Sequence, residues 1–195
     1  MEEYGRKTKV INSDKCCVVY NSLPLPVVDQ RILRGDALTT ELSISDEVVL
    51  LFCGRIERQK GVDVLIDAIS RVDSNCKFKL LICGEGEDMP KLKKLAISLG
   101  LEDKIMWLGW QLDLEPFYAL ADIYIMPSRW ESFGLVFLEA MNHSLPILST
   151  NVQAIPEVVS DNEVGLLSDS EDALGLAENI EKLVSFMEET GGTIE

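Results

Sequence analysis

An α/β fold with a doubly wound parallel sheet is predicted by three observations. Val48-Val49-Leu50-Leu51-Phe52-Cys53 and Phe78-Lys79-Leu80-Leu81-Ile82-Cys83 are near-continuous apolar runs, each ended by a glycine, the pattern of strands buried on both faces. Between them Val62, Leu65, Ile66 and Ile69 recur at helical spacing, with Asp63 and Asp67 off that stripe. Strand and helix then alternate to the end of the chain, which a sheet covered by helices on both sides requires.

Residues Met1 to Ser13 are polar and patternless. Lys15 to Tyr20 offers a short strand, and Pro24 to Asp46, with mixed charge, reads as connector. One short strand needs neighbours that the first 45 residues do not supply. Beyond the two long strands, Leu92, Leu95, Ala96 and Leu99 mark a helix with Lys91, Lys93 and Lys94 outward and Gly100 as its carboxy-terminal cap. Ile105 to Leu108, Ile123 to Met126, Pro146 to Ser149 and Gly165 to Leu167 are the further extended pieces. Helices are expected over Leu114 to Ala121, Gly134 to Asn142, and briefly near Pro156 to Val159. A last helix within Glu171 to Glu188 presents Leu174, Ala177, Ile180, Leu183 and Val184 to the core.

Composition narrows the function. With 195 residues, 47% of them hydrophobic, the chain can bury a full core. A net charge of −15 argues against a nucleic-acid partner, so any phosphate site is a local island of positive charge. The 5 cysteines form an odd set without C-x-x-C spacing, and the 1 histidine, His143, has no ligand partner at metal-binding distance in sequence. No disulfide framework, metal or cofactor is expected. Free thiols, and a start that lacks the basic and apolar regions of a signal peptide, point to the cytoplasm.

In a doubly wound sheet, ligands bind where strands end and helices begin. Two loops there carry the right chemistry. Gly54-Arg55-Ile56-Glu57-Arg58-Gln59-Lys60-Gly61 sets Arg55 just beyond a strand and Lys60 at the mouth of the next helix; Arg forks onto two phosphate oxygens and Lys acts as a point charge. Three basic residues are also what a solvated loop carries. The second stretch, Ser128 to Glu139, places Glu131 and Glu139 on either side of Gly134. The amides of Phe133, Gly134, Leu135 and Val136 are the unpaired donors of a helix start and attract anions. Glu139, one turn beyond Leu135, could accept from a sugar diol, with Glu131 facing the same cavity. Gly84-Glu85-Gly86 reads as a strand-to-helix turn bordering a base pocket, beside which Trp110 could lie.

Together, Gly54-Arg55 with Lys60-Gly61, Pro127-Ser128 with Glu131-x-Phe133-Gly134, and Glu139-Ala140-Met141 resemble the retaining nucleotide-sugar glycosyltransferases of the glycogen-synthase-like GT-B type, group 1 or family 4. The resemblance runs from about Val18 to Val184. It implies a Rossmann-like domain that is one half of a two-domain GT-B enzyme: residues 1–45 are a remnant of the preceding domain plus connector, 46–189 the nucleotide-sugar-binding domain, and 190–195 a tail. It implies that Arg55 and Lys60 hold the donor diphosphate, Phe133 to Val136 meet sugar and phosphates, Glu139 binds the ribose hydroxyls, and Glu131 positions the transferred hexose. Metal-independent transfer with retention, to a glycan, lipid or small-molecule acceptor held by an amino-terminal domain, is what the family would do. By that reading this chain alone transfers little or nothing, and any peripheral membrane docking belongs to a longer protein. The chain departs from the family pattern at Asn142-His143-Ser144 and Gln153-Ala154. A non-catalytic nucleotide-sugar module and half of a nucleotide-sugar epimerase are the other readings.

Overall fold

The computed structural model describes residues 19–24 and 38–190. Six strands, β1 (Val48–Cys53), β2 (Phe78–Cys83), β3 (Ile105–Gly109), β4 (Ile123–Met126), β5 (Ile147–Thr150) and β6 (Gly165–Ser168), form one sheet in the order β3-β2-β1-β4-β5-β6. Every pairing is parallel. All six residues of β1 are buried, as its unbroken apolar sequence demands.

The helices are α1 (Val62–Arg71), α2 (Met89–Ser98), α3 (Glu115–Leu120), α4 (Leu135–Asn142), α5 (Ile155–Val158) and α6 (Ala173–Thr190). Helices α2 and α6 both pack on α1. Right-handed crossovers that step outward from β1 to β3, and then the other way from β4 to β6, send α4 and α5 to the opposite face. The doubly wound parallel sheet expected from the sequence is therefore the fold. At the end of α2, Gly100 has φ +68° and the amide of Leu101 returns to the Ala96 carbonyl, the cap anticipated there.

Two details differ from expectation. Leu174 is exposed, and the buried stripe of α6 is Ala173, Leu176, Ala177, Ile180, Val184 and Met187. These follow the i, i+3, i+4, i+7 rule, whereas Leu174 lies about 100° round the helix from Ala173. The strand expected over Lys15 to Tyr20 lies largely outside the described residues, and Val19 and Tyr20 join no sheet.

Candidate functional site

The sheet order reverses between β1 and β4, so the loops leaving the carboxyl ends of these two strands diverge and leave a crevice. A cleft of about 260 Å³ opens there. Cys53 and Cys83 line it where β1 and β2 end, with Arg55, Glu85 and Trp110 on the following loops and Val136 and Glu139 on α4. A larger apolar groove of about 880 Å³ lies by Pro146 and Gly165, at the opposite ends of the strands. None of the candidate site residues Arg55, Lys60, Trp110, Glu131, Phe133 to Val136 and Glu139 lines it.

The loop after β1 closes with a short 3-10 turn, Arg58–Lys60, and Gly61 at φ +68°. That turn sends the Lys60 side chain back alongside Gly54. Its ammonium sits 2.5 Å from Glu131 Oε2, and side-chain exposures of 14% and 9% make this a nearly buried ion pair. Glu131 also accepts the Ser132 amide at 3.1 Å, while its own amide donates to Gln153 Oε1. The sequence reading has Glu131 facing the cavity of Glu139; in the structure its carboxylate is instead taken by Lys60. An ammonium carries three N–H donors, so Lys60 keeps capacity for a further acceptor.

Arg55 is different in kind. Its guanidinium is 67% exposed and pairs with Glu57 at 2.9 Å, a solvated contact easily exchanged for another anion. Opposite it, α4 begins after Gly134 at φ +78°. Among the described residues no acceptor takes the amides of Phe133 to Val136, so these donors point outward as a helix start requires. Val136 and Glu139, three apart, share the cleft wall, whereas Leu135 is 45% exposed and outside it. Glu139 is half-buried and accepts the Tyr118 hydroxyl at 2.8 Å. Trp110 is 71% exposed on the cleft rim, and Trp107 is packed against the core.

One residue that ties the two loops together is not singled out by the sequence pattern. Arg129, with its side chain only 9% exposed, forks onto Asp63 at 2.7 and 2.8 Å, binds Glu171, and donates to the Arg58 carbonyl, while its amide donates to the Gln59 carbonyl. It thereby fastens the Lys60 loop to the Glu131 loop. Only the charge of Arg129 was legible, since Asp63 is 66 residues away.

This knot has a pH signature. Hydrogen bonds from Arg129 hold the Glu171 carboxyl below its ordinary value of 4.5. Burial alone would raise Asp63, but the Arg129 hydrogen bonds and charge outweigh it and hold that group below 3.8. A depressed folded pKa contributes stability that is present above the ordinary value and lost as pH falls through the folded one. The wild type should thus lose stability as pH drops below 4.5 and then 3.8. Arg129→Met should remove that part of the acid limb and cost about 1–2 kcal/mol at pH 7, the small figure reflecting screening of two half-exposed carboxylates. Urea unfolding at pH 3 to 7 measures both.

The comparisons with known proteins bear on this geometry. The family model described as glycosyl transferases group 1 matches residues 38–189. The chain belongs to that family. The group 1 model spans every strand, every helix but the last residue of α6, and every candidate site residue. Among curated relatives, the lipopolysaccharide core biosynthesis glycosyltransferase LpsE of Rhizobium meliloti is 36% identical over 72% of this chain and 41% of its own length. N-acetyl-alpha-D-glucosaminyl L-malate synthase of Bacillus anthracis is 31% identical over 85% of this chain and 43% of its own. The chain thus spans less than half the length of these relatives. In fold it is similar to Anabaena Alr3699/HepE, solved in complex with UDP-glucose, with TM-score 0.83 and 23% identity over 93% of this chain and 51% of that one. A glycosyltransferase from Rickettsia africae gives TM-score 0.87 at 21% identity, over 98% and 52%. The Rossmann-like domain is accordingly one half of the GT-B architecture. Among the described residues no helix is long and apolar enough to cross a membrane, and no cluster of three or more His, Cys, Asp or Glu is placed to hold a metal ion.

Proposed function

We propose that this chain is the donor-binding half of a retaining glycosyltransferase, which moves a hexosyl group from a nucleoside-diphosphate sugar to a glycan, lipid or small-molecule acceptor. The observation that carries the reading is the convergence, at the sheet's reversal point, of an exposed guanidinium, a helix start with open amides, and a carboxylate on one cleft wall. Residues 46–189 form the donor domain, 1–45 bring the end of the acceptor-binding half and the connector, and 190–195 are a tail.

Each group then has a task. Arg55 exchanges Glu57 for the diphosphate, and Lys60 donates to it while still bound to Glu131. As the sugar–phosphate bond breaks, negative charge grows on the leaving oxygen; Arg55, Lys60 and the amides of Phe133 to Val136 stabilise it without needing a metal ion. No enzymic nucleophile is required, and the leaving phosphate assists deprotonation of the acceptor on the same face, which retains the anomeric configuration. Glu131 positions the transferred hexose, Glu139 accepts from the ribose diol, and Trp110 offers its face to the base.

Calorimetric titration with UDP-, GDP- and ADP-sugars tests this. One of them should bind, and Arg55→Ala should weaken binding about tenfold, as loss of hydrogen bonds to a charged ligand does. The unfolding midpoint should stay put, because Arg55 is solvated. Absence of binding to all three, or affinity indifferent to Arg55, overturns the reading. Nucleotide release should stay negligible until the amino-terminal half is supplied.

A further inference from the structure

The carboxylate of Glu139 is not held by its own helix. Its partner is the hydroxyl of Tyr118, 21 positions earlier on α3, at 2.8 Å. Tyr118 is only 3% exposed and does not line the cleft. Its ring is clamped on two sides, stacked on His143 with centroids 5.2 Å apart and tilted against Tyr124 at 6.0 Å. His143 in turn meets Glu115, on the first turn of α3, at 3.2 Å. The ring therefore has little freedom, and its hydroxyl lies where one Glu139 oxygen must be.

Glu139 itself is half-buried, on the cleft wall three residues from Val136. A glutamate has three side-chain torsions, and a solvated one samples many rotamers. A diol needs both oxygens of the carboxylate in one place, or one oxygen free while the other is held. From this arrangement we infer that Tyr118 is a positioning residue: its clamped hydroxyl occupies Oε2 of Glu139 and aims Oε1 at the donor's ribose hydroxyls. The inference rests on Glu139 being the diol acceptor, as in the proposed function.

The hydroxyl remains a donor throughout the working pH range, because burial, together with the neighbouring Tyr124, Cys53 and Glu139 side chains, pushes its ionisation far above the ordinary value of 10.0. Tyr118 supplies orientation and no charge. Its effect should appear only with ligands that possess the hydroxyls Glu139 reads.

Isothermal titration of the 195-residue chain with UDP and with 2′,3′-dideoxy-UDP tests this, on wild type, Tyr118→Phe and Glu139→Gln. Tyr118→Phe should bind UDP about tenfold more weakly, the effect of losing one hydrogen bond to a charged group, and dideoxy-UDP within about twofold of wild type, as expected where no partner hydroxyl is present. Glu139→Gln should show the same selectivity. If Glu139→Gln separates the two ligands and Tyr118→Phe weakens both equally or neither, the positioning role is wrong and the diol reading stands. If Glu139→Gln does not separate them, both fall together; should UDP not bind, GDP or ADP and its 2′,3′-dideoxy analogue give the same comparison, and binding of none of the three overturns both readings. Should Tyr118→Phe fail to fold, Tyr118→Met, which also lacks the hydroxyl, gives the same comparison.

Discussion

Lys60→Ala is expected to lower stability by about 3 kcal/mol at neutral pH, at the lower end of what removing one partner of a buried ion pair does. In a domain of this size that is a fall of about 10 °C in unfolding temperature. The reason is what remains. Among the described residues Glu131, with its side chain 9% exposed, then keeps only the Ser132 amide as a donor to its carboxylate. Lys60→Ala combined with Glu131→Gln should recover most of the loss, because with position 131 neutral no uncompensated buried charge remains. Urea unfolding of the single and double variants measures this. A double variant no more stable than the single would show that lost packing, and not the stranded carboxylate, is responsible. Neither variant should bind a sugar nucleotide as the wild type does, so the pair separates folding from binding at one position.

Gly61→Ala should do comparable damage by a different route. At φ +68° a side chain adds about 1–2 kcal/mol of backbone strain. Its Cβ would also stand 2.0 Å from the Pro127 carbonyl oxygen, so one of the two backbones must move, at about 1–3 kcal/mol for the forced shift. Together the loss is about 3 kcal/mol. Gly100→Ala is the control, since Gly100 has the same φ with nothing within 4 Å of the added carbon. It carries the strain without the collision and should cost about 1–2 kcal/mol. The difference between the two variants reads the collision, and only Gly61→Ala should also disturb nucleotide binding, because Pro127 leads directly into the Glu131 loop.

The strands were legible because parallel strands buried on both faces announce themselves locally, by apolar runs such as Val48 to Cys53 ended by glycine. The loops that bear the candidate residues were legible for the same reason, being whatever follows such a run. What local pattern does not contain is who meets whom. Lys60 and Glu131 are 71 residues apart, Arg129 and Asp63 66, Tyr118 and Glu139 21. Each meeting exists only because the strand order doubles back at β1, and spacing along the chain is silent about that. Hence the acidic pair was expected to share one cavity, whereas Glu139 lines the cleft and Glu131 is buried against Lys60. Leu174 departs from the expected stripe for a smaller reason: it and Leu176 are both leucines two residues apart, and residue type alone does not say which of them the helix turns inward.

The doubling back also governs when the protein can take shape as it is made. Strand β1 has β2 on one side and β4 on the other, so its second edge stays bare until Met126 has left the ribosome. At about 5–20 residues per second, the stretch from Cys83 to Met126 leaves that edge open for seconds. Strands β5 and β6, by contrast, each add beside the strand just completed. This domain is therefore most exposed to a holding chaperone while the stretch from β2 to β4 is being made, and less so while β5 and β6 are added.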